Sequence, residues 1–163
     1  MPTPRLLFLL LFLFCCGLMA YGFYLEYVEG LEPCPLCMTQ RVFIVLCGML
    51  GLLAFLHNPA VLGIKVYAFL VLLGGLLGAG FAGRQLWLQS LPADQVPACG
   101  PSLGYMFEVL PFTEALKTLM MGDGNCAEVT WTFLGLSMPG WTLICFSGFA
   151  VFGVWHMLRK PIG

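Results

Sequence analysis

Cys34 and Cys37 stand in the stretch Glu32-Pro33-Cys34-Pro35-Leu36-Cys37, two thiols at a spacing that closes a small disulfide ring just ahead of an apolar, helix-like segment. A helix N-terminus carries partial positive charge and favours a thiolate, so a C-x-x-C pair in that place suits reversible redox cycling. A stapling disulfide across so short a loop would remove little chain entropy. A metal site would need further Cys or His ligands close by. Arg41 follows Cys37 by four residues, which on a helix puts its guanidinium on the same face one turn further along. A fixed cation there would stabilise a Cys37 thiolate and could bind a negatively charged or carbonyl-bearing acceptor. Spacing alone fits equally well an arginine that snorkels to a membrane interface, and placement beside the cysteine pair favours the chemical role. Cys99, in Val96-Pro97-Ala98-Cys99-Gly100-Pro101, and Cys126, in Gly122-Asp123-Gly124-Asn125-Cys126-Ala127-Glu128, are each flanked by turn formers. Both are expected on exposed, mobile backbone, where a disulfide would be accessible to a protein thiol.

The elements that carry these residues follow from composition. The 163 residues are 60% hydrophobic and only 9% charged, with a mean hydropathy of +0.94, whereas an ordinary soluble domain is roughly a quarter charged. The apolar residues come in blocks long enough to cross a bilayer, which takes about twenty residues, or fewer when flanking side chains snorkel. Four spans are expected, at about 6–25, 42–56, 66–82 and 141–158, joined by loops at about 26–41 and 83–140. The fold class is therefore an all-α membrane protein, a four-transmembrane-helix bundle forming a single membrane domain over residues 1–163. Gly74, Gly75, Gly78 and Gly80 in the third span would let a neighbouring helix approach closely. The first block is longer than the apolar region of a secretory signal, and Gly17-Leu18-Met19-Ala20 lacks the small-x-small cleavage pattern.

Arg5, Lys65, Arg159 and Lys160 fall in short segments on the side shared by the two termini, whereas Arg41, Arg84 and Lys117 are spread through the longer loops opposite, with the acidic residues. The positive-inside rule then makes both termini cytoplasmic. Cys34, Cys37, Cys99 and Cys126 face the oxidising compartment, where disulfides persist. Neither His57 nor His156 lies on that side, so no metal site is expected. Cys15, Cys16, Cys47 and Cys145 lie inside spans and read as small buried apolar residues. Residues 105–121 alternate Met106, Phe107, Leu110, Phe112, Leu116, Leu119, Met120 and Met121 with Glu108, Glu114 and Lys117. They read as a short amphipathic helix in the second loop, interrupted at Pro111, lying on the bilayer or capping the bundle. The cations form no basic run, and nucleic acid is excluded as a partner.

With four spans, Cys34-Pro35-Leu36-Cys37 and Arg41 four residues on, a long second loop bearing Cys99 and Cys126, and Trp131-Thr132-Phe133-Leu134-Gly135-Leu136-Ser137-Met138-Pro139 before the last span, the chain resembles the disulfide bond formation protein B (DsbB) family. These are thiol:quinone oxidoreductases of the bacterial inner membrane. The resemblance covers nearly the whole chain. It implies a relay in which a DsbA-like periplasmic thiol oxidoreductase attacks Cys99 of a Cys99–Cys126 disulfide, contacting Pro97, Ala98, Gly100 and Pro101. Cys126 then attacks Cys34, and Cys37 is freed to pass electrons to ubiquinone or menaquinone beside Arg41. In an approximate alignment Gln85 takes the place of a family histidine linked to quinone chemistry; an amide cannot relay a proton as imidazole does. Three other classes would leave different traces. A quinone-linked oxidoreductase serving a dedicated partner would share the thiol logic, a scaffold stapled by two inert disulfides would resist mild reductants, and a metal-handling protein would need ligands that the loops lack.

Overall fold

The computed structural model describes residues 3–100 and 103–159, the side chains of residues 103, 106 and 107 excepted. Four long helices, α1 (Pro4–Tyr27), α2 (Pro35–His57), α3 (Val61–Gln89) and α6 (Met138–Leu158), are each long and apolar enough to cross a membrane. Each expected span falls inside one of them. The helices run past the apolar blocks, and capping side chains set the starts of α1 and α2. Thr3 Oγ1 accepts from the Leu6 N–H at the start of α1. Asn58, in the left-handed region at φ 43°, ends α2 ahead of Pro59. Between α3 and α6 the chain forms α4 (Leu103–Val109), α5 (Phe112–Met121), a 3-10 turn at Gly124–Ala127, and a hairpin of β1 (Thr132–Phe133) with β2 (Leu136–Ser137). Among the described residues that hairpin is the one departure from an all-helical expectation. Leu134 and Gly135 both take positive φ, 51° and 80°, as a two-residue turn between antiparallel strands requires.

The helices pack in the order α1–α2–α3–α6, and α1 reaches α6 through aromatic side chains, Phe8 on Phe152 and Phe14 on Phe149. The core runs through Phe8, Cys15, Ile44, Cys47, Val71, Phe146 and Phe149. Large apolar residues face outward all round, among them Leu13, Leu46, Leu53, Leu77 and Val151, a surface that lipid solvates and water does not. Gly75 and Gly78 lie against α6 at Phe146, Phe149 and Ala150, and Gly74 lies over the Cys47 sulfur, so α3 approaches two neighbours closely. A side chain at Gly80 would meet open space, contrary to the expectation drawn from the glycine cluster. Among the span cysteines Cys15 and Cys47 are buried, whereas Cys16 is exposed on the outer face and Cys145 lines a cavity. Helical periodicity turns Cys16 away from the core that Cys15 enters.

The amphipathic segment forms the two helices α4 and α5, broken at Pro111 as expected. Ala115 is buried, while Phe112, Leu116 and Met120 form an exposed apolar stripe at four-residue spacing. Helix α5 is tied to the bundle by Thr39 Oγ1 donating to Leu119 O (2.7 Å) and Arg84 Nε donating to Met121 O (2.7 Å). It caps the cysteine end and at the same time offers an outward apolar stripe.

Candidate redox site

The start of α2 is built around its first cysteine. Cys34 is the N-cap residue, with extended backbone, and its sulfur accepts from the Cys37 N–H at 3.3 Å. Pro35 occupies the first helical position, where a missing N–H costs nothing and its fixed φ suits the helix. The two sulfurs are brought to 2.8 Å, in position to bond to one another. Leu36, fully buried between them in sequence, packs with Leu88 and Cys126 and pins the turn to the bundle.

Cys126 departs from the sequence expectation. It was expected on exposed backbone, yet it is fully buried. The turn formers around it are turned inward. Gly122, at φ 77°, sits against Leu36 and Leu88, and Gly124 lies under the backbone of Ala98 and Cys99 with its N–H donating to Ala98 O. A side chain at either glycine would collide with these neighbours. The result sets Cys126 against Cys34, whose thiol donates to it. That bond, helped by the Leu36 and Asp123 backbone contacts, outweighs burial and holds the Cys126 thiol below its ordinary range. Cys34 is pushed up by its bonds to Cys126 and Cys37 and by burial. Of the three sulfurs the central one, Cys34, thus holds its proton more tightly than Cys126 does.

Cys99 is exposed, as expected, and so are Pro97 and Ala98. Its backbone is nevertheless clamped. Asp123, buried, accepts from Gly100 N–H (3.2 Å) and from Asn125 N–H (3.1 Å), and Asn125 Nδ2 donates to Gly100 O (3.3 Å). Pro101 lies outside the described residues.

Arg41 lies one turn beyond Cys37, and the two line the same cavities. It is no free snorkelling arginine: its guanidinium pairs with the Glu26 carboxylate, donates to Gly22 O (3.1 Å) and lies over the Phe23 ring (5.4 Å). An ion pair this shielded from solvent fixes the cation in place. Gln85 lies behind the C-x-x-C, buried, its amide nitrogen 3.2 Å from both Cys34 and Cys37 sulfurs. Sequence reasoning missed two further polar residues, Gln40 and Thr142, which join Gln85 from α2 and α6. The available signal was a polar side chain near the end of an apolar span, where such residues are uncommon and used.

Two cavities meet at Cys37 and Arg41. One, of about 320 Å³, is walled by Leu18, Met19, Leu25 and Ile44 with the aromatic Tyr21, Trp131, Phe133 and Trp141, and its polar groups are Cys37, Gln40, Arg41 and Thr142. Mostly apolar walls with a few convergent polar groups, at this size, are what a small organic ligand needs. The hairpin forms its rim, with Trp141 Nε1 donating to Phe133 O (3.0 Å). The other is a wider polar cleft that also reaches Cys34, Glu26, Glu128 and Gln85. Among the described residues no group of three or more His, Cys, Asp or Glu is placed to hold a metal. His57 bonds Tyr67 and His156 lies on Phe152 O, both at the far end of the bundle.

Residues 4–156 match the family model described as disulfide bond formation protein DsbB. Relatives called disulfide bond formation protein B include one from Hahella chejuensis, 57% identical over 98% of this chain and 96% of the relative. One from Marinobacter nauticus is 57% identical over 97% and 94%, and disulfide bond formation protein B 1 of Pseudomonas aeruginosa is 44% identical over 98% of both. With its four membrane-crossing helices and its gathered cysteines, the chain belongs to the DsbB family of disulfide bond formation proteins, a multi-pass membrane oxidoreductase.

Proposed function

We propose that the chain is a protein-dithiol:quinone oxidoreductase of the bacterial inner membrane that reoxidises a DsbA-like periplasmic partner. The observation that carries the reading is the order of the sulfurs: Cys99 exposed, Cys126 buried against Cys34, Cys34 beside Cys37, and Cys37 on the wall of an apolar cavity with Arg41. In the proposed cycle a partner thiolate attacks Cys99, breaking a Cys99–Cys126 disulfide, and the electron pair leaves on Cys126. Cys126 attacks Cys34, the Cys34–Cys37 bond breaks, and the pair leaves on Cys37. The second thiol of the partner resolves its bond to Cys99, and Cys99 recovers Cys126, freeing Cys34. Net, the partner loses two electrons and two protons as its disulfide forms. Thiolate attack needs an accessible target sulfur and a good leaving group, and the exposure of Cys99 and the lowered thiol of Cys126 supply both.

The residues around the 320 Å³ cavity suit a quinone, ubiquinone or menaquinone, with apolar and aromatic walls for the ring and the Arg41 guanidinium for a carbonyl oxygen. When bound there it would supply a two-electron, two-proton acceptor reached from the membrane. Glu26 and Gly22 hold Arg41 in place, and the apolar walls of the cavity flank Cys37. Arg5, Lys65 and Arg159 at the opposite end favour cytoplasmic termini and a periplasmic cysteine end.

The test is quinone reduction by the purified chain in detergent, with a reduced DsbA-type protein as donor, comparing the intact chain with Cys37→Ser and Cys99→Ser. The reading expects turnover from the intact chain and none from either variant. An intact chain that leaves donor and quinone unchanged, under conditions where a relative works, overturns it.

A further inference from the structure

Three polar side chains from three helices meet beneath the C-x-x-C. Thr142 Oγ1 of α6 donates to Gln40 Oε1 of α2, Gln40 Nε2 donates to Gln85 Oε1 of α3 at 2.7 Å, and Gln85 Nε2 donates to Cys34 Sγ and Cys37 Sγ at 3.2 Å each. Gln40 and Gln85 are both 3% exposed, so neither amide can turn to water for a partner, and each would be costly to leave unsatisfied. The direction of the chain is set at its sulfur end. A thiolate only accepts, so the Gln85 amide nitrogen must face it. The Gln85 oxygen then needs a donor, which Gln40 provides, and the Gln40 oxygen needs another, which the Thr142 hydroxyl provides.

We infer that Gln85 is a catalytic residue of the exchange step, donating to the Cys37 sulfur as it leaves, with Gln40 and Thr142 as positioning residues that hold the amide in the donating orientation. The inference rests on the relay proposed above. When the Cys126–Cys34 bond forms and the Cys34–Cys37 bond breaks, the electron pair departs on Cys37, and no proton moves. A leaving thiolate departs faster the better its charge is stabilised, and a preorganised buried donor does so with no reorganisation at that moment. The same donor spans Cys34, the atom under attack, so one NH2 group bridges both ends of the breaking bond. This gives Gln85 work that needs no proton relay, and sets it against the sulfurs rather than on the wall of the apolar cavity. The charged and titratable groups around Cys37 are Cys34 and Arg41 on or beside its own helix, Glu26 from α1 through Arg41, Cys126 through Cys34, and Glu32 and Glu128 on the polar cleft. Helices α3 and α6 contribute the uncharged Gln85 and Thr142, and Tyr21 of α1 and Cys145 of α6 share the apolar cavity with Cys37.

The test is site-resolved alkylation of Cys37 against pH, read by mass spectrometry on the reduced full chain in detergent, for the intact protein, Gln85→Leu and Thr142→Val. The midpoint is expected to rise by about one pH unit in Gln85→Leu, a tenfold loss of thiolate below the midpoint, and by less in Thr142→Val. A Gln85→Leu midpoint unchanged from that of the intact chain overturns the inference. If Gln85→Leu does not fold, Thr142→Val decides it, a rise supporting and no change overturning. Donor-driven quinone reduction by the intact chain, measured alongside, separates the two claims. A raised midpoint without turnover sinks the relay and keeps the amide donor, and turnover with an unmoved midpoint does the reverse.

Discussion

The two ends of this bundle are built from different materials. At the end away from the reactive cysteines, helices are held by Phe8, Phe146, Phe149 and Phe152 and by glycines that let α3 lie on α6. At the cysteine end, the contacts that matter are directional: an ion pair on Arg41, two amides and a hydroxyl behind the sulfurs, and a carboxylate clamp on the Cys99 arm. Apolar packing without direction makes a rigid floor, and hydrogen bonds with direction aim the chemistry above it. The cysteines divide along the same line. Cys15 and Cys47 serve as small packing residues below, whereas above them Cys34 touches both Cys37 and Cys126.

The largest expected effect sharpens that division. Cys37→Ser should lower donor-driven quinone reduction by on the order of a thousandfold or more, as removal of a reacting group that works as part of a unit does. Cys15→Ala should leave turnover intact and cost about 1 kcal/mol of stability, since it removes one buried atom from a core that partly relaxes. Steady-state kinetics and thermal unfolding in detergent would read the two.

Next in size is an attempt to break the floor. A Cβ added at Gly75 would lie 2.9 Å from Ala150 N and 3.0 Å from Phe146 O, backbone atoms that cannot swing aside. Gly75→Ala should therefore cost about 1–3 kcal/mol by overpacking, seen as a lower unfolding midpoint, whereas Gly80→Ala, with open space around it, should not.

A smaller effect is expected at the ion pair. Glu26→Gln keeps the shape and removes the charge that anchors Arg41, so the KM for a soluble quinone should rise several-fold with kcat less affected, because binding is lost more than chemistry. A fall in kcat at constant KM would contradict the anchoring role.

The smallest is a pH shift. Cys126 is held below the ordinary thiol value of 9.0 chiefly by the bond from the Cys34 thiol. In the reduced Cys99→Ser chain, alkylation of Cys126 should rise through a midpoint below 9.0 while Cys34, whose thiol is pushed up, stays protonated over the same range. Because the neutral Cys34 donates to the Cys126 thiolate, Cys34→Ala should move the Cys126 midpoint upward.

Much of this was legible in the sequence. The four spans are long apolar blocks, and C-P-L-C followed four residues later by Arg41 states its own geometry on a helix. Cys126 was misread because Gly122, Asp123, Gly124 and Asn125 signal turns in the same way whether they face solvent or fold inward against Leu36 and the Cys99 arm. Only the packing decides. The Gln40, Gln85 and Thr142 chain was invisible for a similar reason, since three residues up to 102 apart meet only once the registers of α2, α3 and α6 are fixed. The stretch Trp131 to Pro139 carried a family likeness but no geometry, and its use as the rim of the apolar cavity depends on the positive φ turn at Leu134 and Gly135.

The most direct test of the central claim, that Cys34 is the sulfur Cys126 reaches, is disulfide mapping in two simplified chains under mild oxidation. One carries Cys37→Ser and Cys99→Ser, leaving Cys34 with Cys126; the other carries Cys34→Ser and Cys99→Ser, leaving Cys37 with Cys126. The sulfur order predicts a Cys34–Cys126 bond in the first, forming about tenfold or more faster than any Cys37–Cys126 bond in the second, as placement in reach dictates. Equal rates, or no bond in the first chain, would contradict it.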